Sequence, residues 1–165
     1  MALTAAAERI VTGTIPGRGP VAVEVVDSRI REVTTIETAS SGTLIPGLLD
    51  LQINGYGGID LNDGAVTPET VAALIRALWE VGVTGFCPTF VTAPVEHLVA
   101  GLRSVAAVLE GDPTLARSVL GVHLEGPWVS AEDGARGAHA AGHVRPATVG
   151  ELDRLIDAGA PISII

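Results

Sequence analysis

The chain has 165 residues, enough for one domain with a sizeable core, and 47% of them are hydrophobic. Its formal net charge is −9, with 10 Lys and Arg against 19 Asp and Glu, which argues against a nucleic-acid-binding protein. No apolar stretch reaches the roughly 18 residues of a membrane span, and the N-terminus lacks a signal-peptide pattern. We therefore expect a cytoplasmic protein that binds neither nucleic acid nor a membrane.

β-Branched residues dominate the beginning of the chain, where residues 9–15 and 21–33 have the composition of strands. Asp27 and Ser28 suit a tight turn between two of these strands. We expect a small antiparallel β unit within residues 1–43, joined through the sequence TASSG to the part that follows.

From residue 44 the sequence alternates between apolar strands and amphipathic helices. We predict strands in the segments LIPGLLDLQI, VTGFCPTFV, SVLGVHL and PISII. The first of these is apolar with little alternation, as expected of a strand that is covered on both faces. Four strands separated by helices predict parallel βαβ units, so the fold class is α/β over residues 44–165.

Three helices are predicted between these strands. The first has Thr67 as N-cap and Pro68 at its first position, and it ends before Gly82. Its apolar residues fall on one face at helical spacing, namely Val71, Leu74, Ile75, Leu78 and Val81. The second helix starts near Pro94 and ends at Gly111, and the third covers residues 148–158.

Two strand ends carry polar residues that could bind a ligand, because ligands gather at the carboxyl ends of parallel strands. Asp50, Gln52 and Asn54 alternate along the first strand, and His123 and Glu125 share a face of the third. The Glu125 carboxylate suits zinc, iron or manganese, but it could equally pair with an arginine or a helix N-terminus. Gln52 and Asn54 could bind a ligand or water or form a structural network, and for His123 a satisfied core histidine is the alternative.

The loop over residues 125–146 is long enough to be functional. It contains the one concentration of positive or potentially positive groups in this acidic chain: Arg136, His139, His143 and Arg145. These side chains could donate hydrogen bonds to an anionic or sugar ligand, or they could belong to a solvated loop. His97 is expected at the surface, and Cys87, the single cysteine, is expected as a small buried residue. Pattern alone thus indicates a metal or ligand site on a parallel βα scaffold.

Four motifs in order resemble those of the N-acetylglucosamine-6-phosphate deacetylase family of the amidohydrolase superfamily. They are IPGLLDLQINGYGGIDLND, GVTGFCPTFVT, GVHLEGPWVS and the GAH of residues 137–139. The resemblance implies the N-terminal portion of a (β/α)₈ TIM-type barrel preceded by part of a small β-sandwich domain. It also implies a metal-dependent hydrolase that removes the acetyl group from N-acetylglucosamine 6-phosphate, giving glucosamine 6-phosphate and acetate.

By the same resemblance, Glu125 is a metal ligand, and Ala138 and His139 contact the sugar phosphate. Gln52 and Asn54 stand where the wider superfamily usually has a His-x-His pair that holds a second metal. We therefore expect one divalent metal ion, zinc ahead of iron or manganese, with Gln52, Asn54 and His123 near it or its water.

A complete barrel takes about 250 residues, so residues 44–165 correspond to about half of one. The catalytic aspartate and the other metal ligands of the family are expected after Ile165, and the chain alone is expected to be inactive. Unpaired strand edges favour a homo-oligomer. Two alternatives stay open: an amidohydrolase acting on a cyclic amide or an amine, or a non-catalytic half-barrel that docks on a second chain.

Overall fold

The computed structural model of the chain describes residues 9–38 and 42–165. Most of the predicted TASSG connection and the first eight residues, on which the expectation about a signal peptide rested, lie outside them. The chain divides into two compact units, Met1–Pro46 and Gly47–Ile165. None of the described helices combines the length and the apolar composition that crossing a membrane requires.

The first unit is a three-stranded sheet in chain order, and its strands are antiparallel, as expected for the small β unit. Its strands are β1 (Arg9–Ile15), β2 (Gly19–Val26) and β3 (Arg29–Thr35). Asp27 and Ser28 form the turn between β2 and β3, and both have positive φ, at 51° and 61°. That geometry belongs to a type I′ turn, whose twist matches that of the two strands it joins.

The second unit is a parallel sheet with helices packed on it. Its strands are β4 (Leu48–Ile53), β5 (Gly55–Tyr56), β6 (Ile59–Asp60), β7 (Val83–Val91), β8 (Val122–Glu125) and β9 (Ile162–Ile164). Its helices are α1 (Pro68–Glu80), α2 (Val95–Gly111), α3 (Pro113–Ala116) and α4 (Val149–Ile156), with a 3₁₀ turn at Ala141–His143. The parallel strands lie in the order β4, β7, β8, β9, and the other two form a short antiparallel hairpin. The predicted α/β class is confirmed.

Helix α1 begins as its sequence predicts. The Thr67 hydroxyl accepts a hydrogen bond from the Thr70 backbone N–H, and the Thr70 side chain in turn accepts from the Thr67 N–H, which completes a capping box. The chain leaves the helix through Gly82, at a φ of 81° that favours glycine. The prediction for Val81 was wrong: it follows the last helical turn and is exposed, because the chain has already turned away from the core.

The core of this unit lies between the sheet and the helices. Its fully buried members include the apolar faces of α1 and α2 and the apolar residues of the central strands: Val71, Leu74, Ile75, Leu78, Phe86, Leu98, Leu102, Val105, Val122 and Leu124. Helix α2 approaches β7 closely, since a Cβ on Gly101 would lie 2.4 Å from the Phe90 ring. These contacts fix the strands whose carboxyl ends carry the candidate site.

Two strands start four residues later than predicted, and four short elements were not predicted. β4 begins at Leu48 rather than residue 44, and β8 begins at Val122, although an isolated bridge joins Val119 to Phe86. The hairpin of β5 and β6 was missed, as were the four-residue helix α3 and the 3₁₀ turn. Short segments of this kind give too few periodic positions to be recognised in a sequence.

Candidate functional site at the carboxyl ends of the strands

The Glu125 carboxylate ends β8 and is bound by two amide side chains from the first strand of the sheet. Gln52 Nε2 donates to Glu125 Oε2 at 2.8 Å, and Asn54 Nδ2 donates to the same oxygen at 3.3 Å. Glu125 retains 33% side-chain exposure, so it is neither free in solvent nor fully enclosed. No arginine pairs with it among the described residues, so the predicted alternative of an arginine ion pair is not the one observed.

Strand order explains why residues more than 70 positions apart meet. β7 separates β4 from β8, and parallel pairing places Val91 beside Glu125 at the shared carboxyl edge. Side chains from β4 and β8 that project from the same face can reach each other over β7. The sequence predicted the common edge, and the structure adds the direct contact of Gln52 and Asn54 with Glu125.

Asn62 is a polar residue that organises this edge and that the sequence analysis did not single out. Its Oδ1 accepts from the Val91 backbone N–H at 2.8 Å, and its Nδ2 donates to the Thr89 carbonyl at 3.1 Å. The same amide also lies 3.3 Å from the Asn54 carbonyl. Asn62 therefore ties the end of β4 to the end of β7. A single asparagine in a loop gives no periodic signal that could have identified it.

His139 reaches the site from the long loop and lies between a hydroxyl and the carboxylate. Its Nδ1 is 2.8 Å from the Thr92 hydroxyl, and its Nε2 is 3.9 Å from Glu125 Oε1. The imidazole is 17% exposed, and Thr92 is 5% exposed. Thr92 follows the last residue of β7 and was also missed, because one threonine at a strand end carries no distinctive pattern.

Gly126 lets the chain pass close to Thr92 immediately after Glu125. Its φ is 96°, and a Cβ at this position would lie 2.1 Å from the Thr92 hydroxyl oxygen. The Gly126–Pro127 peptide bond is cis. A residue with a side chain at position 126 would therefore meet both an unfavourable backbone conformation and a steric clash.

The arginines of the loop are engaged within the fold. Arg145 donates to both carboxylate oxygens of Glu151 through Nε at 2.9 Å and to the Ala93 carbonyl through Nη1 at 3.0 Å. Arg136 pairs with Asp133, and its Nη1 donates to the His139 carbonyl at 3.0 Å. Both arginines thus hold the loop in place, and the contact of Arg136 bears directly on the backbone that carries His139.

The remaining predicted residues lie in separate environments. His123 Nδ1 donates to the Leu51 carbonyl at 3.1 Å and is half-buried. Ala138 is exposed beside His139, and His97 is exposed on α2, as is His143 in the 3₁₀ turn. Cys87 is buried within β7, where burial and then the charge of Asp50 raise the pKa of its thiol.

The side chains at this edge can supply one ligand, the Glu125 carboxylate, to a divalent cation. Glu125 Oε2 is occupied by two amide donors, whereas Oε1 faces only the His139 ring among the described residues. Carboxylate oxygen is a normal ligand for zinc, iron and manganese, but a catalytic zinc site usually has three protein ligands. The described residues contain no group of three His, Cys, Asp or Glu that could hold a metal ion. Further ligands would have to come from residues outside this set.

No protein-family model matches the chain. Several characterised proteins do. N-acetylglucosamine-6-phosphate deacetylase of Bos taurus is 45% identical over 103 residues, which are 62% of this chain and 24% of that protein. The enzyme of the same name from Haemophilus influenzae is 32% identical over 83% of this chain and 35% of its own length. An N-acetylgalactosamine-6-phosphate deacetylase of Shewanella sp. is 34% identical over 66% of this chain and 26% of its own length.

Solved structures of N-acetylglucosamine-6-phosphate deacetylases are also similar to the chain. The enzyme of Thermotoga maritima matches 87% of this chain and 38% of its own chain, with a TM-score of 0.70 and 31% identity. A Mycobacterium smegmatis enzyme in complex with N-acetyl-D-glucosamine-6-phosphate matches 93% of this chain and 41% of its own, with a TM-score of 0.74 and 26% identity. The likeness confirms the predicted fold class, part of a (β/α)₈ barrel with an antiparallel β unit. The chain spans about a quarter to a third of the length of the curated relatives it matches.

Proposed function

Since this chain is related to N-acetylglucosamine-6-phosphate deacetylases over part of their length, we propose that it supplies the first part of such an enzyme. The proposed reaction is hydrolysis of the acetamide of N-acetylglucosamine 6-phosphate to glucosamine 6-phosphate and acetate. The observation that carries this proposal is the Glu125 carboxylate, held by Gln52 and Asn54 and facing the His139 ring 3.9 Å away.

In the proposed enzyme Glu125 is one ligand of a divalent metal ion, with zinc expected first. Such an ion, held in part by Glu125, would supply a Lewis acid for the amide carbonyl and would lower the pKa of a water so that it could act as a nucleophile near neutral pH. The amides of Gln52 and Asn54 hold one carboxylate oxygen and leave the other directed into the site. Amides are poor zinc ligands compared with imidazole, so these two residues support a single metal ion rather than two.

The residues on the other side of the site bind and orient the substrate. His139 sits where its Nε2 can contact a ligand next to Glu125, and Ala138 is exposed beside it. Asn62 and Arg136 fix the backbone of the strand ends and of the loop, respectively. The catalytic aspartate and the remaining metal ligands are expected from the part of the deacetylase that the four motifs do not include.

We test this function by measuring acetate release in a complete protein that contains the chain. N-acetylglucosamine 6-phosphate, its galactosamine epimer and unphosphorylated N-acetylglucosamine are compared as substrates. The epimer is included because one relative is named for it. We expect turnover of the glucosamine phosphate and its loss, by about 100-fold or more, on Glu125→Gln, which removes a metal ligand.

Two results would contradict the proposal. Full activity in the Glu125→Gln variant would remove the carboxylate from its assigned role. Turnover of a cyclic amide or an amine, with none of the three acetamido sugars, would favour the alternative amidohydrolase. Preference for the galactosamine epimer would keep the reaction and change the substrate.

The chain alone is proposed to be inactive, because the described residues supply one carboxylate to the site rather than a full set of metal ligands.

We also propose that the chain is cytoplasmic and forms a homo-oligomer. β4 and β9 form the two edges of the parallel sheet, and Leu49 and Leu51 on β4 are 67% and 58% exposed. Exposed leucines beside an unpaired strand edge favour association with another chain.

A further inference from the structure

We infer that Thr92 is a positioning residue that fixes the neutral tautomer of His139, so that His139 presents an N–H group and not a lone pair toward Glu125. Thr92 lies just after β7, and its hydroxyl is 2.8 Å from His139 Nδ1. Only the identity of the ligand that His139 contacts rests on the proposed function.

Burial of Thr92 restricts the partners that its hydroxyl can reach. Thr92 is 5% exposed, and among the residues that the structure describes its hydroxyl makes one hydrogen bond, to His139. If Nδ1 carried the proton, it would donate to this oxygen and leave the hydroxyl hydrogen without an acceptor. A buried donor without a partner costs about 1–3 kcal/mol. When the hydroxyl donates to Nδ1, no donor is left unpaired.

The contact on the opposite side of the His139 ring favours the same tautomer. Nε2 faces Glu125 Oε1 at 3.9 Å. A neutral imidazole has one protonated nitrogen, so a lone pair on Nδ1 requires a proton on Nε2. An N–H pointing toward a carboxylate is attracted by it, whereas a lone pair in that place is repelled. Both sides of the ring therefore favour the same tautomer.

Gly126 adds a third constraint, because it closes the space around the hydroxyl. A Cβ at position 126 would lie 2.1 Å from the Thr92 oxygen, and the Gly126 backbone is therefore packed against it. Glycine at position 126 therefore leaves the hydroxyl the room it occupies when it contacts His139. The chain after Glu125 thus positions the hydroxyl that acts on His139.

The consequence is a specific role for His139. With Nε2 protonated, the ring is a hydrogen-bond donor to an oxygen of a ligand bound beside Glu125. It does not coordinate the metal through Nε2, since a coordinating nitrogen needs its lone pair. In the proposed enzyme the acceptor is an oxygen of the acetamido sugar phosphate.

Nitrogen NMR of the ¹⁵N-labelled chain tests the tautomer without any activity measurement. The shifts of the two ring nitrogens distinguish the neutral tautomers from each other and from the doubly protonated ring. We expect Nε2 of His139 to be protonated and Nδ1 to be a hydrogen-bonded acceptor. A His139 ring protonated at Nδ1 in the unsubstituted chain would overturn the inference.

Two variants separate positioning from a purely structural role. Thr92→Val keeps the shape of the side chain and removes the hydroxyl, so the Nδ1 resonance shifts as it loses its hydrogen bond. Thr92→Ser keeps the hydroxyl, so its Nδ1 resonance should stay close to that of the unsubstituted chain. An unchanged Nδ1 resonance in folded Thr92→Val would also overturn the inference.

Zinc added to a labelled complete protein that contains the chain gives the remaining readout. The Nε2–H signal of His139 should persist at zinc concentrations that perturb Glu125, and its replacement by a metal-shifted Nε2 resonance would contradict the assignment. In the proposed deacetylase, Thr92→Val should lower kcat/KM by about tenfold or more. A protein without deacetylase activity can still show the inferred tautomer, and a deacetylase can show the other one, so the two failures are distinguishable.

Discussion

Gln52 on β4 and Glu125 on β8 are joined by a 2.8 Å hydrogen bond that passes over the strand between them. The contact links the two outer members of a three-strand set and orients a carboxylate at their shared edge. Asn54 adds a longer bond to the same oxygen at 3.3 Å. The site thus depends on amide side chains that satisfy one carboxylate oxygen and leave the other accessible.

Removing the shorter of these bonds should weaken the chain modestly. Gln52→Leu leaves Glu125 Oε2 with Asn54 as its one side-chain donor, and we expect the free energy of unfolding to fall by about 1 kcal/mol. Urea unfolding measures the change. In a Glu125→Leu background the acceptor is absent, so the same substitution should have almost no effect. An equal effect in both backgrounds would show that Gln52 acts through other contacts.

A second prediction concerns the close approach of Gly126 and Thr92. Gly126→Ala should destabilise the chain by about 2–4 kcal/mol, because positive φ is strained for alanine and the new Cβ meets the Thr92 hydroxyl. Gly134 is the matched control: its φ is 89°, and a Cβ there meets nothing within 4 Å. Gly134→Ala should therefore cost only the backbone strain, about 1 kcal/mol.

Thermal and urea unfolding of the two alanine variants decide whether the clash contributes. Combining Gly126→Ala with Thr92→Ala removes the oxygen and should recover part of the lost stability. If Gly126→Ala and Gly134→Ala cost the same, the contact with Thr92 is not a tight one.

Much of the parallel fold and the common edge of the site could be predicted from the sequence. The start of helix α1 was predicted correctly, and its end to within one residue, because Thr67, Pro68 and Gly82 are strong local signals. Gln52 and Glu125 were placed on one edge by a rule of parallel sheets, which needs only the strands and their direction. Patterns with a fixed period, or with a residue that typically begins or ends a helix, can therefore be recognised in the sequence alone.

The specific contacts of the site were not predictable in the same way. Asn62 acts through hydrogen bonds to the backbone of Thr89 and Val91, and Thr92 acts through one to His139. These partners are far away in sequence, and the segments of Asn62 and Thr92 have no distinctive pattern. The direct hydrogen bond between Gln52 and Glu125 depends on the spacing between the strands and on the side-chain rotamers. The sequence offers Arg145 as a donor to a ligand, whereas the structure pairs it with Glu151, because a sequence does not show which acidic residue lies nearby.

A third prediction concerns Arg145, which anchors the end of the long loop. Its ion pair with Glu151 is 26% and 14% exposed, and it also donates to the Ala93 carbonyl. Arg145→Met leaves Glu151 and that carbonyl without their donor, so we expect a loss of about 1–3 kcal/mol. Limited proteolysis should also cut the loop over residues 126–148 faster.

Arg154 provides the control for this substitution. It pairs with Glu96 in a more exposed setting, with side chains 56% and 69% exposed. Exposed ion pairs contribute little, so Arg154→Met should leave both stability and proteolysis of the loop nearly unchanged. Equal sensitivity of the two variants would mean that the partial burial of the Arg145 pair has no effect.

The last prediction concerns Cys87, which lies in β7 and is 2% exposed. Burial, reinforced by the negative charge of Asp50, raises the pKa of this thiol above its ordinary value. The thiolate is the reactive form, so alkylation of the folded chain near pH 8 should be slow and should proceed at the rate of local or global opening. Denaturant should accelerate it strongly.

The raised pKa also has a sign for stability. As pH rises past the ordinary thiol value, the unfolded chain ionises Cys87 while the folded chain resists, so the unfolded state is favoured and stability falls. Cys87→Ala removes this dependence. The free energy of unfolding is measured for this variant and for the unsubstituted chain at pH 8 and at pH 10. The difference between the two proteins in their change with pH gives the contribution of the thiol. Rapid alkylation of the native chain at pH 8, at the rate of the denatured chain, would show that the thiol is not protected by β7.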